Sequence, residues 1–120
     1  MHAGRYRDLV DQLAHTVLDG GGETDPKLRR AVAQLAAKGS LGHELAPGTA
    51  IPGAIAPFVT KVAQEPFRVT DQDLATLRAA GYSEEAVFEI VVAASLGAGI
   101  ARLERRLSAA REAARSGPSR

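Results

Sequence analysis

The sequence predicts an all-α protein, a bundle of about five helices with one long C-terminal helix, expected to be oligomeric. Three observations predict it. Apolar residues recur at helical spacing in segment after segment, which marks one buried face on each helix. Alanine, leucine and valine supply most of the apolar content while aromatics are only 4 % of residues, a mixture that favours closely packed helices. The segments are bounded by matched start and stop signals, capping residues before and glycine or proline after. Residues 1–115 are expected to form one all-helical domain, and 116–120 a disordered tail.

In chain order, residues 3–18 place Tyr6, Leu9, Val10, Leu13, Ala14, Val17 and Leu18 on one stripe, with Arg7, Asp8, Asp11 and Gln12 opposite. Gly20, Gly21 and Gly22 should end this helix. Asp25-Pro26 is a strong start for a second helix, an acid able to cap and a proline whose fixed φ suits the first position. Leu28, Ala31, Val32, Leu35 and Ala36 form its stripe, with an end expected at Gly39. Residues 40–57 carry Pro47, Pro52 and Pro57 and read as a loop with a helical turn near Pro52. Phe58, Val59, Val62 and Ala63 give a third helix, from near Pro57 to Pro66.

The stretch from Thr70 to about Arg111 is the part that the rest must be arranged around. Thr70 can cap a short fourth helix that buries Leu74, Leu77 and Ala80, with Asp71 and Asp73 at the positive end of its dipole. A hydrophobic residue before the cap, Val69, can staple onto Leu74. Gly81 can take the left-handed conformation that stops this helix, and Ser83 can cap the fifth. From Ile90 to Ala101 that helix has twelve residues without a charge. Such a segment calls for apolar partners on nearly all sides, supplied by the other helices or by a second copy of the chain. Small residues recur four apart, Ala93 with Gly97, Ala94 with Ala98 and Ser95 with Gly99, a spacing that lets another backbone come close.

The chain has 120 residues, 45 % apolar and 24 % charged, enough for one core and a globular balance. The formal net charge of +1 points to no class of partner. Its distribution is uneven, −4 over residues 40–101 and +4 over 102–120, and a basic C-terminal end suits the negative end of a helix dipole. There are no cysteines, which excludes disulfides, thiolate metal sites and cysteine-based redox or nucleophilic chemistry. The charged N-terminus lacks the apolar run of an export signal, and the apolar run of the last helix falls short of the ~18–20 residues of a span. A soluble cytoplasmic protein is the expectation.

No glycine-rich phosphate loop, HExxH motif or nucleophile elbow is present. His2, His15 and His43 lie on different segments, so neither a metal nor a cofactor is expected. Three residues are candidates for acid–base work: Glu89, His43 and Glu65. Glu89 sits between Phe88 and Ile90, where burial would raise its pKa and make it a proton carrier; the plainer alternative is an exposed glutamate stabilised by the helix dipole. His43-Glu44 is the loop's one acid–base pair, its plainer reading a solvent-facing pair. Leu77, Gly81 and Val87 echo the spacing of a helix–turn–helix, yet the would-be recognition helix opens with Glu84 and Glu85 and carries Glu89, which would repel phosphates. Nucleic acid and membrane are therefore disfavoured as partners.

The run from Phe58 through Leu103, with VTDQDLATLRAAGYSEEAVFEI followed by a small-residue-rich helix, resembles the AhpD-like (carboxymuconolactone decarboxylase) superfamily over 46 of the 120 residues. The resemblance implies an all-α fold that assembles as dimers, trimers or hexamers through its helices. Redox members carry a Glu, a CxxC and a downstream His. The resemblance puts Glu85 or Glu89 at the glutamate position; in the register that starts from Glu85, Gly97 and Ile100 take the positions of the cysteines and Glu104 that of the histidine. In the other, this helix matches a later, non-catalytic repeat. The thiol pair is absent either way. The resemblance then implies a non-redox scaffold, small-ligand binder or companion subunit, or else a decarboxylase- or isomerase-like enzyme using Glu89, His43 or Glu65.

Overall fold

The computed structural model describes residues 2–40 and 51–116, and the described chain is all-helical. Five α-helices follow in order: α1 (His2–Asp19), α2 (Pro26–Ser40), α3 (Ala56–Gln64), α4 (Asp71–Ala79) and α5 (Glu84–Ser116), with a short 3-10 turn over Pro66–Arg68 between α3 and α4. His43, Glu44, the side chains of His2 and Tyr6, and the 117–120 end of the expected tail lie outside the described residues.

The helix boundaries follow from local chemistry. The Asp25 carboxylate accepts from the Lys27 amide at 2.8 Å, so α2 begins on Pro26 with one of its orphan donors satisfied. Ile55 and Ala56 donate to the Pro52 carbonyl, the expected turn that leads into α3. Thr70 and Asp73 form a reciprocal capping box at the start of α4. Gly81 adopts φ 107° and closes α4, and the Ser83 hydroxyl accepts from the Ala86 amide at 3.0 Å to open α5.

The core is one contiguous cluster. Val32, Leu35 and Ala36 of α2, Phe58, Val59, Val62 and Ala63 of α3, and Ile90, Ala93, Ala94 and Ala98 of α5 are buried together, with Ile55 and Leu77 closing the ends. Val69 and Leu74 are partly buried against this cluster, as the staple predicts. At Gly97 the packing of α5 on α2 is at its tightest. A methyl group there would sit 2.7 Å from the Ala33 Cα and carbonyl carbon, inside the distance that real side chains tolerate. The small-residue spacing of α5 is thus used on this side to bring two backbones together.

Several expectations need correction. Gly39 does not end α2; it lies buried inside the helix, where a methyl would crowd the Ala63 side chain. Ala80 is exposed: it is the C-cap residue just beyond α4, on the way into the Gly81 turn. Leu9 and Leu13 of the α1 stripe are 59 % and 52 % exposed; among the described side chains of the stripe, Val10, Ala14, Val17 and Leu18 are the ones turned at least partly out of solvent. The uncharged segment of α5 is not enclosed on nearly all sides. Its buried residues occupy one face, while Ser95 and Gly99 of the opposite face are exposed, as is Phe88 just before the segment. Finally, α5 does contain a stretch long and apolar enough to cross a membrane by length and composition, part of it buried against the other helices.

Candidate functional site

Two places concentrate the polar chemistry and the unused surface of this chain: a hub where α5 grips the α1–α2 link, and the outer side of α5.

The hub is built on two residues of opposite charge. Arg29 is only 3 % exposed and aims its guanidinium at the end of α1, donating to the carbonyls of Val17 (2.9 Å), Gly20 (2.5 Å) and Thr24 (3.2 Å). A cation there satisfies orphan carbonyls and meets the negative end of the α1 dipole. Its Nε is buried with no partner. On the other side of the link, the Glu89 carboxylate accepts from the Glu23 amide (2.9 Å), the Thr24 amide (2.8 Å) and the Thr24 hydroxyl (2.5 Å). Gly22 makes room for it: a methyl there would lie 2.5 Å from the Glu89 Oε2. Asp19 completes the joint, paired with Arg30 of α2 and accepting from His15 at 2.8 Å, which keeps its carboxyl below the ordinary value, chiefly through the Arg30 bond.

This geometry corrects the expectation for Glu89. Desolvation is the largest single influence and pushes its carboxyl upward. The Thr24 hydroxyl, the two amides and the Arg29 charge together outweigh it, so the net shift is downward. Glu89 is held as an anion that anchors a loop, not poised as a proton carrier. The plainer alternative of an exposed glutamate does not hold either, because the residue is half-buried.

Glu65 sits at the C-terminal end of α3, exposed, with the Arg68 guanidinium 3.8 Å away. Neither Glu65 nor Glu89 lines any of five clefts formed by the described residues, and no group of three or more His, Asp or Glu among those residues could hold a metal ion. Of the positions that the resemblance assigns, Gly97, Ile100 and Glu104 share a groove of about 180 Å³ between α2 and α5, together with Arg30 and Gln34. Glu85 is not among its lining residues, and Glu104 points to Arg7 of α1 at 3.8 Å.

Sequence reasoning missed two features. Arg29 had a signal: it precedes Val32, Ala33 and Ala36 by three, four and seven residues, which places it on the apolar face of α2. The second is a cleft of about 350 Å³ between α3 and α4, where Phe58 and Leu77 supply an apolar wall and Lys61 and Asp73 a polar rim. The Lys61 ammonium lies 3.0 Å from the Asp73 carboxylate, which is held below its ordinary pKa first by the Thr70 amide and then by Lys61. Nothing in the spacing of two different helices announced that pairing. The cleft is open and its one cation is already neutralised, so it offers an anion little.

The outer side of α5 is a second unused surface, apart from the exposed Phe67 of the 3-10 turn. Phe88 is 62 % exposed, Val92 half-buried, Ser95 and Gly99 exposed and Leu103 37 % exposed. A methyl at Gly99 would meet nothing within 4 Å, in contrast to Gly97. Among the described residues nothing packs over Phe88, Ser95 or Gly99, while Leu103 at the far end lines a groove shared with Arg7 and Val10 of α1. Searches of protein-family models, of characterised proteins and of solved structures return no match to the chain.

Proposed function

We propose that the chain is a cysteine-less, AhpD-like helical subunit that works by association, as a scaffold or companion protein, with the outer face of α5 as its assembly surface. The single observation that carries this reading is the uncharged strip on α5 that the chain's own helices leave open, with a phenylalanine 62 % exposed at one end. A soluble chain gains little from keeping such a strip in water, at about 25 cal/mol for every Å² of apolar surface. Among the described residues the other helices shield the opposite face, and a second molecule is the cover this reading assigns to the open one. The hub geometry supports a non-catalytic role as well: the glutamate best placed for proton transfer is engaged by three donors.

Light scattering on the purified protein tests the reading. The expected result is a mass that is a multiple of 12.6 kDa, with Phe88→Glu shifting the protein toward monomer at unchanged helical content. A wild-type chain that stays monomeric at every concentration reached refutes it. The chain is also expected to consume no hydroperoxide, since it carries no thiol to be oxidised.

A further inference from the structure

We infer that the occupant of the α5 face is a second copy of this chain, packed antiparallel across a two-fold axis that passes between Ala93 and Ala94. The inference rests on the reading of α5 as an assembly surface and adds its partner and register.

The argument begins with spacing. Glu85, Phe88, Val92, Ser95, Gly99 and Arg102 follow one another at alternating steps of three and four, the period of a helix–helix seam. All six are exposed or half-buried, so among the described residues the seam lies on the open side of α5, with Arg102 at its edge, where its guanidinium also donates to the Ala63 carbonyl of α3. Its ends carry opposite charge: Glu84 and Glu85 stand at the start, and Arg102, Arg105 and Arg106 follow the uncharged segment. A parallel pair would set glutamates against glutamates and arginines against arginines. An antiparallel pair sets Glu85 of each copy beside Arg102 of the other, so charge complementarity selects the orientation.

Shape selects the register. With the axis between Ala93 and Ala94, Phe88 of one copy faces Gly99 of the other, and Val92 faces Ser95. The largest exposed side chain of the seam thereby meets the seam position where the helix surface is bare backbone and where, among the described residues, nothing lies within 4 Å of an added methyl. Large residues meet small ones at every apolar layer, which lets two helices approach to the 8–10 Å of ordinary packing. The Gly99 position also gains an explanation. A glycine inside a helix is about 1 kcal/mol less favourable than alanine, and among the described residues no close contact offsets that loss.

Because the chain has no cysteine, single-cysteine variants report the arrangement cleanly. Glu85→Cys and Arg102→Cys are made separately, checked for native helical content, and oxidised alone and as an equal mixture. In the inferred pair, the two Glu85 positions lie about 25 Å apart, as do the two Arg102 positions, at 1.5 Å of rise per residue. A disulfide needs Cα atoms within about 7 Å. The expected result is covalent dimer from the mixture and little from either variant alone. Gly99→Leu should fill the notch that Phe88 enters and weaken association at least tenfold without lowering the unfolding midpoint of the dilute chain.

The failures are distinguishable. An oligomer in which each variant links to its own kind is a parallel pair, and one in which no combination links uses another surface. Either overturns the inference and leaves an associating subunit in place. A chain that is monomeric by light scattering, or that embeds in lipid vesicles as a monomer, overturns the inference and the assembly reading together.

Discussion

Gly97→Ala separates close helix packing from every other account of the glycines in α5. In a helix interior the change should stabilise by about 0.8–1.0 kcal/mol, because alanine is the better helix former. In this fold the new methyl carbon would lie 2.7 Å from the Cα and carbonyl carbon of Ala33, with the Ala33 carbonyl oxygen closer still. Those atoms are backbone of α2 and cannot swing aside as a side chain could. The two helices must part by roughly 1 Å to restore ordinary contact. A gap of that size forfeits about a quarter to a half of the dispersion attraction of each atom pair along it. The pairs affected include Ala93, Ala94 and Ala98, all buried in the core. Overpacking of this kind costs about 1–3 kcal/mol, and a rigid obstacle puts Gly97 at the upper end. The net expectation is a loss of about 2 kcal/mol, or a fall in Tm on the order of 8 °C for a domain of this size. Urea denaturation and thermal melts of dilute protein, with Gly99→Ala as the matched control at an open position, measure both. Gly99→Ala should be neutral or stabilising in the dilute chain. A Gly97→Ala protein as stable as the wild type would refute the packing argument.

The hub yields three further expectations. Glu89→Gln keeps the shape but turns an amide N–H toward one of three donors, so unfolding should become easier by about 1–3 kcal/mol, read as a lower urea midpoint at unchanged slope. Arg29→Ala strands the carbonyls of Val17, Gly20 and Thr24 and should destabilise by about 3 kcal/mol, with Arg29→Lys recovering only part of it; hydrogen exchange should show the end of α1 opening first. Acid should weaken the fold through Glu89 and Asp19 of the hub and through Asp73 of the α4 cap, whose native pKa values lie below the ordinary 4.5 of glutamate and 3.8 of aspartate. Depressed carboxyls stabilise fully above their unfolded values, and the contribution is lost as pH falls through the native ones. The urea midpoint should therefore be flat above about pH 6 and fall below pH 4.5, and Glu89→Gln combined with Asp73→Asn should flatten that fall.

The sequence alone determined the number of helices, their order and most of their ends, because caps, glycines and prolines act within a few residues of where they stand. Asp25-Pro26, Thr70, Gly81 and Ser83 each do in the fold what their chemistry requires locally. The period of α5 also announced a face for close approach, and Gly97 supplies it. Periodicity says which residues share a face but not whether a neighbour is there to cover it. That is why Leu9, Leu13 and Phe88 are exposed despite sitting on apolar stripes or an uncharged helix. The role of Glu89 was undecidable for the same reason. Its pKa depends on donors from a link 65 residues earlier in the chain, and only the packing of α5 against α2 brings Thr24 to its carboxylate. Local rules choose the helices; the tertiary contacts choose which of their faces stay in water and which charges are anchored.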